Sequence, residues 1–240
     1  MVGPPPDARR HGIGPLLWTI LLGLDMGLLA FSLIVTALAL VFPDQFPSPN
    51  LSGTPGAVRT LLWIQIAFNL LMLGAIPFAW VLGTRVKPWA GTLRYLRLQG
   101  AARGILQGIG WGLASLAGLV ALGYLLKVVH YTPDNKQAEA ILDAVTPALA
   151  VALALSAGIG EEIFFRGLLQ KRLGVWGQAA VFGLFHLSYA TPLQVIIPAL
   201  LGLLYGWLIK RGSSLWVVIT AHFLYDLAQL TARFWAPAGF

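Results

Sequence analysis

The sequence predicts an all-α protein, a polytopic bundle of transmembrane helices with about seven spans. Two observations lead to this class. Of the 240 residues, 58% are apolar and only 10% are charged, whereas about 25% of the residues of a typical soluble domain are charged. The apolar residues also gather into runs close to the roughly 20 residues that a helix needs to cross a bilayer. A chain with so little charge has no polar coat for water, so the bilayer is its predicted solvent.

Seven apolar runs are candidate spans. The first follows a short polar leader and is about twice as long as the apolar core of a signal peptide, so we interpret it as a retained span. The fifth and sixth are short, and a re-entrant path fits them as well as a full crossing. In chain order the runs cover residues 14–42, 58–83, 105–130, 141–170, 174–190, 193–210 and 213–235.

The basic residues predict the orientation. With seven spans and a cytoplasmic amino terminus, eleven of the sixteen Lys and Arg residues fall on the cytoplasmic side, four outside and one, Arg166, within a span. We therefore expect a multi-pass protein of a bacterial or archaeal cell membrane with its amino terminus inside. Residues 84–104 are basic and mildly amphipathic, which is typical of a segment that lies against anionic lipids and equally of an ordinary cytoplasmic loop.

The composition excludes several classes of function. The absence of Cys excludes a disulfide framework, a thiol nucleophile and a thiolate metal site. No basic stripe with interleaved aromatic residues is present, so nucleic acid is not an expected partner.

Several spans contain glycine pairs or prolines that predict how the helices pack or bend. Three pairs of glycines are spaced four apart, which permits close helix contact; they are Gly23 and Gly27, Gly108 and Gly112, and Gly202 and Gly206. Three prolines, Pro77, Pro147 and Pro198, predict kinks that neighbouring helices can tolerate.

Six ionisable residues interrupt the last spans, where each unpaired charge costs about 2.5–3.5 kcal/mol on translocon scales. Their spacing predicts pairing, because residues four apart share a helix face. A seventh, Asp25, has no partner at a helical spacing and is assigned to local packing. The six are Glu161, Glu162, Arg166, His186, His222 and Asp226.

Depth in the membrane supports a common site. Glu161 lies ten residues before Lys171, His186 twelve after Gly174, and His222 ten after Gly212. At 1.5 Å per residue each lies roughly 15–18 Å from the predicted cytoplasmic surface, near the middle of the bilayer. Structural helix–helix contact is the alternative for any single His, but two adjacent Glu residues are costly in that role.

A buried Glu and a neighbouring His can together activate water, and a second imidazole can stabilise an oxyanion. This set therefore predicts an amide hydrolase. No HExxH zinc motif occurs, and no Ser lies in a nucleophile motif. A proton or ion pathway is a further alternative, but it would spread polar groups across the membrane rather than cluster them at one depth.

Three ordered motifs carry a family resemblance. They are EEIFFR at 161–166, FGLFH at 182–186 and HFLYD at 222–226. The sequence resembles the CPBP family of intramembrane proteases, also called the CAAX protease-like or Abi family, over roughly residues 140–232. We accordingly divide the chain into amino-terminal spans with a basic interfacial segment, residues 1–135, and a catalytic core, residues 136–240.

The resemblance implies four core helices around a polar cavity open to the cytoplasm. It implies that Glu161 and His186 activate water, that His222 and Asp226 form the oxyanion site, and that Glu162 and Arg166 support the helix pair. An ionised Asp cannot donate to an oxyanion, so Asp226 is either protonated or acts by holding His222, and we expect the second.

The implied substrate is a lipidated, CAAX-like, or membrane-associated peptide, and membrane lipids are the other expected partner. No cofactor is expected, because a glutamate–histidine water mechanism needs no ion. The alternative is zinc held by Glu161, His186 and His222. The alternative function is that of a non-catalytic immunity or scaffold protein that binds a peptide in the same cavity.

Overall fold

The computed structural model describes residues 9–42, 54–85, 88–131, 136–189 and 191–235, and over these residues the protein is helical. The predicted all-α fold is confirmed. Residues 1–8 and Lys87, which entered the orientation argument, lie outside the described residues. The α-helices are α1 (Ile13–Val41), α2 (Pro55–Phe68), α3 (Ile76–Thr84), α4 (Pro88–Tyr95), α5 (Ala101–Val128), α6 (Lys136–Ala144), α7 (Pro147–Glu162), α8 (Gln170–Leu184), α9 (Leu193–Lys210) and α10 (Leu215–Trp235). Two π-helical segments, π1 (Asn69–Ala75) and π2 (Ile163–Leu169), join α2 to α3 and α7 to α8, and a 3₁₀ turn covers Leu187–Tyr189.

Six helical stretches in the described residues are long and apolar enough to cross a membrane, one fewer than predicted. The difference lies in the predicted fourth and fifth spans, which form one stretch over Pro147–Leu184. Gly174 breaks this stretch with φ 69° and ψ −175°, in a region that favours glycine. The ten helical residues after Gly174 extend only about 15 Å, half of the hydrocarbon thickness. The protein is therefore a multi-pass membrane protein whose fifth apolar segment forms a short helix.

Two of the three glycine pairs bring helices together as predicted. A Cβ on Gly108 would lie 2.6 Å from the carbonyl oxygen of Val217 in α10. A Cβ on Gly202 would lie 3.0 Å from Cα of Ala179 in α8. Gly112 also faces α10, and Gly206 also faces α8. These contacts join α5 to α10 and α8 to α9.

The prediction for Gly23 and Gly27 is wrong. A Cβ on either residue would meet no atom of the described residues within 4 Å, because this face of α1 is exposed.

The prediction of a kink at Pro147 is also wrong. Pro147 occupies the first turn of α7, where its missing N–H is harmless, and the Thr146 side chain caps that turn by accepting from the Leu149 N–H at 3.3 Å.

One end of the bundle gathers the basic segments. The backbone of Arg9 bridges that of Arg85, and the Arg10 N–H donates to the Thr84 carbonyl at 2.7 Å. Arg97 donates to the Ile209 carbonyl near the end of α9, and Lys171 donates to the Tyr95 carbonyl at the end of α4. Arg9 and Arg10, the segment after α3, the start of α8 and the end of α9 therefore lie at one end of the bundle.

Two glycines in the sequence SAGIGEE place α7 deep in the bundle. A Cβ on Gly158 would lie 3.0 Å from the Ile219 carbonyl oxygen in α10, and one on Gly160 only 2.3 Å from the Asn69 carbonyl oxygen in π1. Backbone-to-backbone approach on both sides is possible only because these residues lack side chains. It leaves the next two residues, Glu161 and Glu162, between π1 and α10.

Candidate active site

Glu162 is the buried acceptor at the centre of the site. Its Oε1 atom accepts from Nη1 of Arg166 at 2.8 Å and from Nδ1 of His222 at 2.8 Å. Glu162 and Arg166 lie four residues apart across the start of π2, and both side chains are 0% exposed. The predicted Glu162–Arg166 pair is therefore present, and it also reaches α10 through His222.

Aromatic rings enclose the Arg166 guanidinium. Its Cζ atom lies 4.4 Å from the ring centroid of Phe182 and 5.5 Å from that of Tyr205. The Tyr205 hydroxyl lies 3.3 Å from Oγ of Ser115, which ties α9 to α5. Cation–π contacts of this kind are strongest where water is absent, so the rings help to hold a charge inside the bundle.

The second nitrogen of His222 faces two carboxylates. Its Nε2 atom lies 3.4 Å from Oδ2 of Asp226 and 3.9 Å from Oε2 of Glu161. Carboxylate lone pairs repel a bare nitrogen lone pair, so at least one proton is shared among these three groups. An Nε2 atom that carries this proton is a hydrogen-bond donor within the site.

His186 joins the site through Phe182. Its Nδ1 atom donates to the Phe182 carbonyl at 2.9 Å, which makes Nε2 the acceptor nitrogen of the neutral ring. The Phe182 ring lies edge-on to both imidazoles, with centroid distances of 5.1 Å to His186 and 5.9 Å to His222. The FGLFH motif therefore brings its histidine to the same region as His222.

Exposure divides the six predicted residues into two groups. The side chains of Glu162, Arg166 and His222 are almost fully buried, whereas Glu161 is 14% exposed and Asp226 25%. His186 is also partly exposed. The first group can support the site, and the second group includes the two partly exposed carboxylates.

The contact of Glu162 with the His222 ring was not expected. Asp226 was expected to hold this ring and lies 3.4 Å from Nε2, whereas Glu162 accepts from Nδ1. The spacing of four residues correctly predicts that His222 and Asp226 share a face. It cannot show which nitrogen each acid meets.

Tyr205 is a site residue that the motifs do not include. Its ring is buried, with its centroid 6.2 Å from that of His222. A lone Tyr within the apolar run of α9 is the one signal in the sequence that points to it. Asp25 is also buried, in α1, and its carboxylate has no hydrogen-bond partner among the described residues.

The residues offer little support for a metal centre. In the described part of the chain, no three His, Asp or Glu side chains are grouped so that they could hold a metal ion. The Nδ1 atoms of His186 and His222 are already engaged, so zinc would have to use both Nε2 atoms with Glu161.

Comparison with known proteins supports the family resemblance. Residues 143–228 match the family described as type II CAAX prenyl endopeptidase Rce1-like, so the resemblance read from the three motifs is confirmed. The chain is also similar to the uncharacterized protein YpbD of Bacillus subtilis (strain 168), with 36% identity over 81 residues, or 32% of this chain. The match spans 41% of the length of that relative. No solved structure matches the chain significantly.

Proposed function

We propose that this chain, whose residues 143–228 resemble type II CAAX prenyl endopeptidases, is an intramembrane endopeptidase. The observation that carries the proposal is the meeting of Glu161, Asp226 and Nε2 of His222, with Nδ1 of the same ring held by the buried Glu162–Arg166 pair. A partly exposed carboxylate beside an oriented imidazole is the arrangement that hydrolysis of an amide requires.

In the proposed reaction Glu161 is the general base. Its carboxylate takes a proton from a water molecule as the water oxygen adds to the peptide carbonyl, and Nε2 of His186 accepts from the same water to aim it. The resulting oxyanion accepts a hydrogen bond from Nε2–H of His222. When the C–N bond breaks, the proton on Glu161 passes to the leaving amine, which restores the carboxylate.

The supporting residues act before the chemistry begins. Glu162 accepts from Nδ1 of His222 and so directs Nε2–H toward the reacting carbonyl. Arg166 neutralises Glu162 in a dry setting. Asp226 lies 3.4 Å from Nε2 and helps to orient this side of the ring in the resting site.

We propose a lipidated, CAAX-like, or otherwise membrane-associated peptide as the substrate. The site lies among helices that are long and apolar enough to cross the bilayer, so a peptide held at the membrane is already near it. The proposed mechanism uses no cofactor.

A cleavage assay with Glu161→Gln tests the proposal. The substitution preserves size and removes the proton acceptor, so cleavage of prenylated or unprenylated membrane peptides should fall about 10²–10⁴-fold. Thermal stability and peptide binding should stay unchanged. The matched control is Glu139→Gln, at an exposed position of α6, which should keep full activity.

A peptide-binding scaffold would behave differently. It would cleave none of these peptides in its unmodified form, and Glu161→Gln would keep full biological function. That pair of results would overturn the endopeptidase proposal and leave the fold unaffected.

A further inference from the structure

A cavity of about 660 Å³ opens beside the candidate active site, between the end of π2, the break at Gly174 and the last turns of α9. It lies at the basic end of the bundle. Arg97, Lys171 and Lys210 line it and are exposed, and Arg166 forms part of its buried wall. None of its described lining residues is acidic.

Arg166 adds a buried guanidinium to the wall of this cavity. Its Nη1 atom is engaged by Glu162 and its side chain is 0% exposed, so it does not reach an occupant directly. The accessible donors are the exposed side chains of Arg97, Lys171 and Lys210. Charge-assisted hydrogen bonds from guanidinium and ammonium groups suit phosphate and carboxylate oxygens, so the cavity has the chemistry of an anion site.

The proposed catalytic groups lie elsewhere. Glu161, His186, His222 and Asp226 are absent from the cavity lining, and only Arg166 belongs to both places. The occupant of the cavity is therefore separate from the peptide bond that the site would hydrolyse.

The remaining lining residues favour a lipid. Trp176 and Trp207 are exposed side chains in the cavity wall, and Trp is enriched at the level of lipid headgroups. Basic pockets between transmembrane helices bind anionic headgroups. Gln170 donates to the Gly206 carbonyl at 2.8 Å, which joins α8 to α9 in the cavity wall.

We propose that this cavity binds the headgroup of an anionic phospholipid. The phosphate accepts from the exposed cations Arg97, Lys171 and Lys210, and the acyl chains leave past the two Trp side chains. The proposal does not depend on the protein being a peptidase.

Native mass spectrometry of the full-length protein in detergent tests this site. The probes are phosphatidylglycerol and phosphatidylcholine with the same acyl chains. Phosphatidylglycerol should be retained more strongly, and Arg97→Gln with Lys210→Gln should weaken its binding about fivefold for each removed charge. The control is Arg94→Gln with Arg103→Gln, which removes the same charge from exposed positions at the same end but outside the cavity. This control should bind as the unmodified protein does.

A second variant leaves Arg97 unchanged, because the Arg97 side chain also donates to the Ile209 carbonyl and its loss could disturb the fold. Lys210→Glu reverses one exposed charge and should weaken binding more than Arg103→Glu. Equal retention by all variants, or equal retention of the two lipids, would overturn the proposal.

Competition separates the possible sources of the anion. Glycerol 3-phosphate or inorganic phosphate at millimolar concentration should fail to displace the lipid, and displacement would assign the cavity to a soluble anion instead. Displacement by a peptide with a free terminal carboxylate, but not by its amide, would assign it to the peptide and overturn the lipid proposal.

Discussion

Glu162 links three helical segments through one oxygen atom. The two donors on Oε1, from Arg166 in π2 and His222 in α10, come from residues 4 and 60 positions away. The side chain is fully buried, so the carboxylate depends on these donors instead of water. Losing either donor leaves a charge in an apolar interior, where the cost is several kcal/mol.

Arg166→Ala should therefore lower stability as well as activity. We expect a loss of about 3–5 kcal/mol in the free energy of unfolding, because the variant leaves the buried Glu162 carboxylate without its guanidinium partner. Thermal unfolding of the purified protein in detergent measures this loss, and Arg103→Ala, at an exposed position of α5, is the control.

A double variant distinguishes charge from packing. Arg166→Met combined with Glu162→Gln removes both charges and keeps an acceptor for His222, so much of the stability should return. An Arg166→Ala protein with unchanged stability and activity would contradict the supporting role of this pair.

Metal removal tests the proposed chemistry at the same scale. If Glu161 and His186 activate water without an ion, activity should survive exhaustive chelation, and elemental analysis should find no stoichiometric zinc. Activity lost on chelation and restored by zinc alone would instead make Glu161, His186 and His222 ligands.

At the scale of elements, the two π-helical segments lie on either side of the glutamate pair. π2 begins directly after Glu162, and π1 contributes the Asn69 carbonyl that lies against Gly160. π-Helical segments are rare in proteins overall, but those that occur often lie at functional sites. Here π2 carries Arg166, and π1 carries the backbone that Gly160 allows to approach.

Gly160→Ala should disturb the candidate active site, although Gly160 is not one of the proposed catalytic residues. The added Cβ would lie 2.3 Å from the Asn69 oxygen, so π1 and α7 must separate. We expect a loss of about 1–3 kcal/mol in stability, typical of overpacking, and reduced cleavage because Glu161 moves with the backbone.

Gly118→Ala is the matched control for this prediction. It places the same methyl group in the interior of α5, where no atom of the described residues lies within 4 Å. It should be neutral or stabilise the helix by about 0.5–1 kcal/mol. Equal thermal stability of the two variants would contradict the packing argument.

At the scale of the whole molecule, the basic segments meet at one end of the bundle. Arg97 contacts the end of α9, and Lys171 contacts the end of α4, although these residues are far apart in the chain. The positive-inside rule predicts that this end faces the cytoplasm.

Accessibility labelling tests that orientation in a chain that contains no Cys. Arg94→Cys, in the exposed part of α4, should react with a membrane-impermeant reagent only after the cells are permeabilised. Lys136→Cys, exposed at the start of α6, should react in intact cells. The reverse pattern would invert the orientation and place the lipid cavity in the outer leaflet.

The sequence by itself predicted the solvent and most of the residues that meet at the candidate site. A chain with 10% charged residues favours lipid as its solvent, and the cost of isolated charges there favours contact among its intramembrane acids, bases and histidines. Asp25 is the exception among the described residues. Local periodicity was enough for pairs four residues apart, so Glu162 with Arg166 and His222 with Asp226 could both be predicted.

Only the tertiary structure decided which atoms face one another. The bond from Glu162 to Nδ1 of His222 depends on the relative rotation of α7 and α10, and no spacing within one helix encodes that rotation. For the same reason Gly108 lies against a neighbouring helix while Gly23, with the same spacing pattern, faces open space. A repeat along one helix defines a face, but the helix that covers the face is chosen by the packing of the whole bundle.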